Sequence, residues 1–158
     1  MATQRDSSSQ AIRSSRRSSS SPTFPRALAA ALGYLHDPTS ADLAAEILAR
    51  ATDRELVAAV LRLLERVGHQ EQRALVRGFL NSPDFVIRAA AASALGNVGD
   101  EEDRRLLRIA CDDESRWVAI HAARALRNAG DLAGLRALAG SGRERATLAM
   151  QVLSEVEG

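Results

Sequence analysis

A stretch of seventeen residues, Asp84–Asp100 (DFVIRAAAASALGNVGD), returns about every 31 residues along the chain. Asp53–His69 and Ser115–Asp131 repeat it closely, and Thr23–His36 and Glu144–Gly158 repeat it more loosely. A period in this range marks folds in which one supersecondary unit stacks on the next. Aligned on the leucine near each helix end, the copies place Leu32, Leu64, Leu95, Leu126 and Leu153 at spacings of 32, 31, 31 and 27. Three residues further on stand Leu35, Val67, Val98, Ala129 and Val156, one turn away on the same face.

Punctuation follows the same period. Gly68, Gly99 and Gly130 sit where a helix must end, and glycine accepts the left-handed conformation of that position without a Cβ clash. Asp100 and Asp131 come next, with Asp37 in the first copy, each placed to cap a following helix. Between the long helices lie shorter partners: Ser40–Ala51, Glu71–Leu80, Glu101–Cys111 and Leu132–Ala139. Three of them carry an apolar triplet at i, i+4, i+5: Leu43/Ile47/Leu48, Leu75/Phe79/Leu80 and Leu106/Ala110/Cys111. That spacing predicts one buried side. Asp53, Ser82-Pro83-Asp84 and Ser115 read as start signals for the long helices. The expectation is all-α, about nine helices, alternating short and long in antiparallel pairs. No strand-like run of β-branched residues interrupts the pattern. With only 3% aromatic residues and 46% hydrophobic residues, the core is an alanine–leucine one that lets backbones approach closely.

Residues 1–22 (a Ser/Arg-rich run ending at Pro22) have almost nothing to bury and are expected to be a disordered tail, leaving 23–158 as the repeat domain. Residues 1–26 hold five arginines against one aspartate, whereas 27–158 hold sixteen arginines against nineteen acids. The tail reads as a solvated segment, as a targeting signal (Arg16-Arg17 ahead of a short apolar stretch resembles a twin-arginine leader, and the Ser/Arg-rich start a transit peptide), or as a basic arm tuned by serine phosphorylation. The slightly acidic body offers no general attraction to nucleic acid. One cysteine, Cys111, excludes an intrachain disulfide and suits a reducing cytoplasm, and no apolar run approaches a membrane span. Every basic residue is arginine, a hint of a GC-rich, bacterial genome.

The motif Val86/Ile87-Arg88, Ala91-Ala92, Ala94-Leu95-Gly96, Val98-Gly99-Asp100 resembles a HEAT repeat, in particular the short phycobilisome-lyase kind, over about residues 53–131. The resemblance implies a right-handed α-solenoid of about four to five helix pairs whose longer helices line a concave face. It also implies that Arg88 and Asp100 tie adjacent repeats. Val57 and Ala119 stand at the arginine position of the flanking copies. The His-Glu pairs of iron-binding relatives such as deoxyhypusine hydroxylase are missing, since His36, His69 and His121 precede Asp37, Gln70 and Ala122. The basic, aromatic-bearing face of HEAT-like DNA glycosylases is not matched either.

Within the long helices, Arg62, Ser93, Arg124 and Gln151 form one polar ladder, and Arg66, Asn97, Asn128 and Glu155 form another one turn on. On the resemblance, Arg62, Ser93, Asn97, Trp117, His121, Arg124 and Asn128 are the candidate partner-binding residues. An ordinary solvated face is the competing interpretation of the ladder. Core filling competes for Trp117, and a structural role competes for His121. Asp112-Asp113-Glu114 reads as a solvated loop with a helix cap, and Cys111 as a small buried hydrophobe. The apolar last helix (Leu148, Met150, Val152, Leu153, Val156) predicts self-association or a partner at that end. The resulting expectation is a non-enzymatic scaffold or adaptor that binds another protein and needs no cofactor or metal. An accessory subunit of an enzyme such as a bilin lyase, and an arm binding nucleic acid or another acidic partner, are the alternatives.

Overall fold

The computed structural model describes residues 39–67, 70–97, 100–142 and 145–157. The tail, the first helix expected over 23–36, Asp37, and the glycines Gly68 and Gly99 lie outside the described residues. Among those described there are eight α-helices and no strand: α1 (Thr39–Arg50), α2 (Arg54–Val67), α3 (Arg73–Gly78), α4 (Phe85–Leu95), α5 (Glu101–Ala110), α6 (Arg116–Asn128), α7 (Leu132–Ala139) and α8 (Ala146–Glu157). Each long helix packs on the long helix of the next copy (α2 on α4, α4 on α6, α6 on α8), while α1, α5 and α7 pack on the long helix that follows each of them. This is an all-α solenoid, and its core runs along the stack rather than around a centre.

The aligned leucines explain the stacking. Leu64, Leu95 and Leu126 are all buried, as are Ala89–Ala92 and Ala122, Ala123 and Ala125. A lone helix of this length is marginal in water, so the apolar face that each pair leaves open is stabilised by the next. Gly96 shows how close the layers come: a Cβ there would stand 2.7 Å from Ala125 Cα. Asp84, Asp100 and Asp131 cap α4, α5 and α7 through their side chains, and Asp100 completes a capping box with Asp103. Gly130 closes the turn after α6 with φ +75°.

Local departures from the repeat have local causes. The motif helix ends at Leu95 instead of running on towards Gly99, because Gly96 starts a tighter turn whose N–H bonds to the Ser93 carbonyl. The second short helix is only six α-helical residues, set between 3₁₀ turns at Gln70–Gln72 and Phe79–Asn81, with the weak helix former Gly78 at the handover. Ser115 occupies the cap position of α6 without a side-chain cap bond; Asp113 accepts from its N–H instead. The triplets are not uniformly buried: Leu48 and Cys111 are, but Leu43 is 43% exposed. In the last copy Val156 is also exposed, at 47%.

Ion pairs tie the repeats along one rim. Arg88 is buried and forks onto Asp113 through Nε and Nη2 at 2.9 and 3.0 Å, with its Nη1 on the Ser82 and Pro83 carbonyls. Asp100 accepts from Arg77 at 2.6 Å and pairs with Arg73 at 3.0 Å, linking α3 to α5. The two motif residues thus reach separate partners. Asp103, 0% exposed, holds Arg77 Nε at 2.6 Å. Arg108 reaches Asp131 at 2.7 Å one repeat later. Val57 and Ala119, at the Arg88 position of the flanking copies, are simply buried.

Candidate functional site

Stepping 31 residues along the sequence steps one long helix along the stack, so Arg62, Ser93 and Arg124 form a row across α2, α4 and α6. The row lies in a groove of about 300 Å³ that continues into a second hollow of about 270 Å³, with Arg62 and Val86 shared by both. Its shape follows from side-chain size. The lining of α4 is Val86, Ala89, Ala90 and Ser93, which are all short. The long side chains of Arg62 and Glu65 rise from α2, and those of Trp117, His121, Arg124 and Arg127 from α6. A low central helix between two tall ones makes a trough, with α4 as its floor.

On α6 the spacing i, i+4, i+7, i+11 brings Trp117, His121, Arg124 and Asn128 to the trough together. Trp117 is 58% exposed, so it is a surface side chain and not core filling. It meets the His121 ring edge-on, with centroids 5.2 Å apart and planes at 60°. Ser93 Oγ lies 2.7 Å from His121 Nδ1 and fixes the imidazole from the floor. Burial lowers the His121 pKa, with Arg124 and Arg62 adding to the effect, so the ring is neutral at neutral pH. Burial also raises the Glu65 pKa against the opposing pull of Arg66 and Arg62.

Six of the seven candidate residues therefore meet in one trough. Asn97 stands outside it: its side-chain N–H donates to the Glu65 carbonyl in the last turn of α2, where carbonyls lack helical partners. That makes Asn97 a tie between α2 and α4. Sequence reasoning did not single out Glu65 or Arg127. Arg127 shares Glu155 of α8 with Arg124, at 2.7 and 3.2 Å. The second ladder contained Glu155, and its 31-residue offset from Arg124 was the available signal.

Elsewhere the chemistry is structural. Burial, with Asp112 and Asp131 nearby, pushes the Cys111 thiol up to about 12, which leaves no thiolate nucleophile at neutral pH. Asp113 is taken up by Arg88, and no three His, Cys, Asp or Glu side chains gather as a metal site among the described residues. In α8, Leu148 and Val152 are buried, while Met150 and Val156 are exposed. No described helix is long and apolar enough to cross a membrane.

A family profile of HEAT repeats matches residues 41–127 and, in an overlapping second alignment, residues 79–153. It does not distinguish the short phycobilisome-lyase kind from other HEAT repeats. No individual curated protein matches the chain. Proteins built of such repeats are generally interaction scaffolds. With both alignments falling on the stacked helix pairs, the chain belongs to the HEAT-repeat family.

Proposed function

We propose that the protein is a non-enzymatic scaffold or adaptor whose α2–α4–α6 trough receives a segment of another protein. The observation that carries this reading is Trp117. A tryptophan standing 58% in solvent at the groove offers a large apolar surface to a partner, and tryptophan is enriched at binding hot spots. The His121 ring, itself held by Ser93, packs against Trp117, which favours a limited set of poses and so lowers the entropy lost on docking. Ser93 and His121 form a pair of the kind that begins nucleophilic machinery, but such a base needs a third group to orient it. The charged groups that act on His121 are Arg124 and Arg62, and no carboxylate hydrogen-bonds its ring among the described residues.

The test is affinity capture from the native host with the intact protein and with an Arg62→Ala/Trp117→Ala/Arg124→Ala variant whose helicity is checked by circular dichroism. Loss of one partner with helicity unchanged is the expected result. Unchanged capture would reduce the trough to a solvated face.

A further inference from the structure

We infer that His121 is an acid-sensitive latch in the trough: the neutral ring lies against Trp117 and on Ser93, and taking up a proton swings it outward and frees the indole. This rests on the docking reading above and adds a regulation to the same site, since the surface offered to a partner then differs between neutral and mildly acid surroundings. The catch is the first argument. Ser93 Oγ stands 2.7 Å from His121 Nδ1. A neutral imidazole can accept the serine hydroxyl proton at that nitrogen, whereas an imidazolium has two N–H groups and no acceptor. A proton on Nδ1 therefore reverses this bond or breaks it. Trp117 meets the same ring, with centroids 5.2 Å apart, so a ring that leaves takes away the support of the indole.

The surroundings of the ring are the second argument. From α2 come Arg62 and Glu65, with Glu55 at the start of that helix. From α4 come Ser93 and the uncharged Val86, Ala89 and Ala90. The ring's own helix, α6, adds Arg124 and Arg127, and α8 adds Glu155, which those two arginines share. No carboxylate hydrogen-bonds the ring among the described residues. Glu65 is itself half-buried, and its charge is drawn to Arg66 and Arg62. A proton on the half-buried ring therefore costs desolvation first, and then repulsion from Arg124 and Arg62. Both costs fall when the ring turns into water. The way out is open, because Trp117 and Arg124, on the turns to either side of His121, are exposed. A change of rotamer is enough, with no movement of α6. The opposing attraction of an imidazolium for an indole face is small at an exposed ring.

Trp117 is the only tryptophan of the chain, so its emission reports the contact directly. The experiment titrates the full protein, with no partner present, from about pH 8 to about pH 5, the range in which histidine changes charge. It follows the emission maximum and quenching by acrylamide, with helicity checked by circular dichroism. Asp100 titrates at about 2, below that range, so its hold on the rim is untouched. The expected result is one transition, centred below the ordinary 6.5 of histidine, to a red-shifted and more readily quenched indole at unchanged helicity. His121→Gln should give a flat profile. Arg62→Gln/Arg124→Gln should move the midpoint up towards 6.5. Glu65→Gln should keep the transition, because that carboxyl is not its source. Ser93→Ala should show the more readily quenched indole already at neutral pH. A transition that survives His121→Gln, or that disappears in Glu65→Gln, would overturn the latch. So would a dimmer emission at an unshifted maximum with unchanged quenching, which would place the proton on a ring that stays where it is. A profile that is flat in the unaltered protein overturns it as well. None of these outcomes touches docking, which capture by the triple variant at neutral pH tests separately.

Discussion

Arginine does two different jobs on the two sides of this molecule. On the rim, Arg77, Arg88 and Arg108 each reach a carboxylate at 2.6–2.9 Å, and the carboxylates are those of Asp103, Asp113 and Asp131 in the next repeat or its leading loop. Those acids are also wired into the backbone, since Asp103 and Asp131 serve helix caps and Asp113 accepts from Ser115 N–H. In the trough, Arg62 is unpaired among the described residues and Arg124 and Arg127 divide one glutamate. The same side chain is a fastener where its partner is fixed and buried, and stays open to solvent where its partner is missing or shared. The difference lies in what stands opposite.

The largest expected effect is on the rim. Asp103→Ala would take the buried carboxylate from Arg77 and the nearly buried Arg73, leaving them only Asp100, and would remove the reciprocal half of the α5 capping box. Breaking a buried pair from one side costs roughly 3–5 kcal/mol. Denaturant unfolding should show a midpoint drop of that order, and a drop below about 1 kcal/mol would mean that the fastener role is wrong. Next is the seam between the two sides. Gly96→Ala puts a methyl 2.7 Å from Ala125 Cα, so α4 and α6 must separate at the end of the trough. Overpacking of this kind costs about 1–3 kcal/mol. The same variant should broaden the Trp117 environment, and an unchanged emission together with unchanged stability would show that the close approach is not required.

Acid should loosen the rim through Asp100. The Asp103 backbone N–H, and then the Arg77 and Arg73 guanidiniums, hold Asp100 down at about 2, against an ordinary 3.8. The unfolded chain therefore takes up this proton first as the pH falls. The stabilisation is complete above about pH 4 and is lost between about 4 and 2. Asp100→Asn should flatten the fall in melting temperature across that window and lower stability above it. An acid limb identical to that of the unaltered protein would remove Asp100 from the rim's fastening.

The sequence carried the fold because repeat folds are built from local signals. A 31-residue period, aspartate caps and alanine faces all act within one pair and its neighbour, so they can be read without knowing the superhelix. The trough was legible in part. Its tall walls followed from counting Arg62, His121 and Arg124 along their helices, but its floor depends on Val86, Ala89 and Ala90 being low relative to neighbours on other helices. The Arg88 fork was hidden for a similar reason. Its partner Asp113 sits 25 residues away in a loop that reads as solvated, and only the packing of α4 beside that loop turns the acid inward. Asn97 misled because helical periodicity places it on the trough face, while the end of α2 offers its amide an unpaired carbonyl.

The smallest expected stability effect is also the sharpest test of the contrast. Arg62 and Arg124 are solvent-exposed, and the one recorded ring contact of Trp117 is with the edge of His121. An aromatic contact of that kind is worth about 0.5–1.5 kcal/mol, and exposed ion pairs such as Arg124–Glu155 contribute about 0–1. Replacing all three by alanine should therefore move the unfolding midpoint by about 1 kcal/mol or less, while abolishing capture of the partner. Removing Asp103 should do the reverse, lowering stability several-fold more and leaving partner capture intact in the fraction that stays folded. If the triple variant instead loses more than about 2 kcal/mol, its side chains belong with the rim as fasteners, and the functional division between the two arginine populations fails.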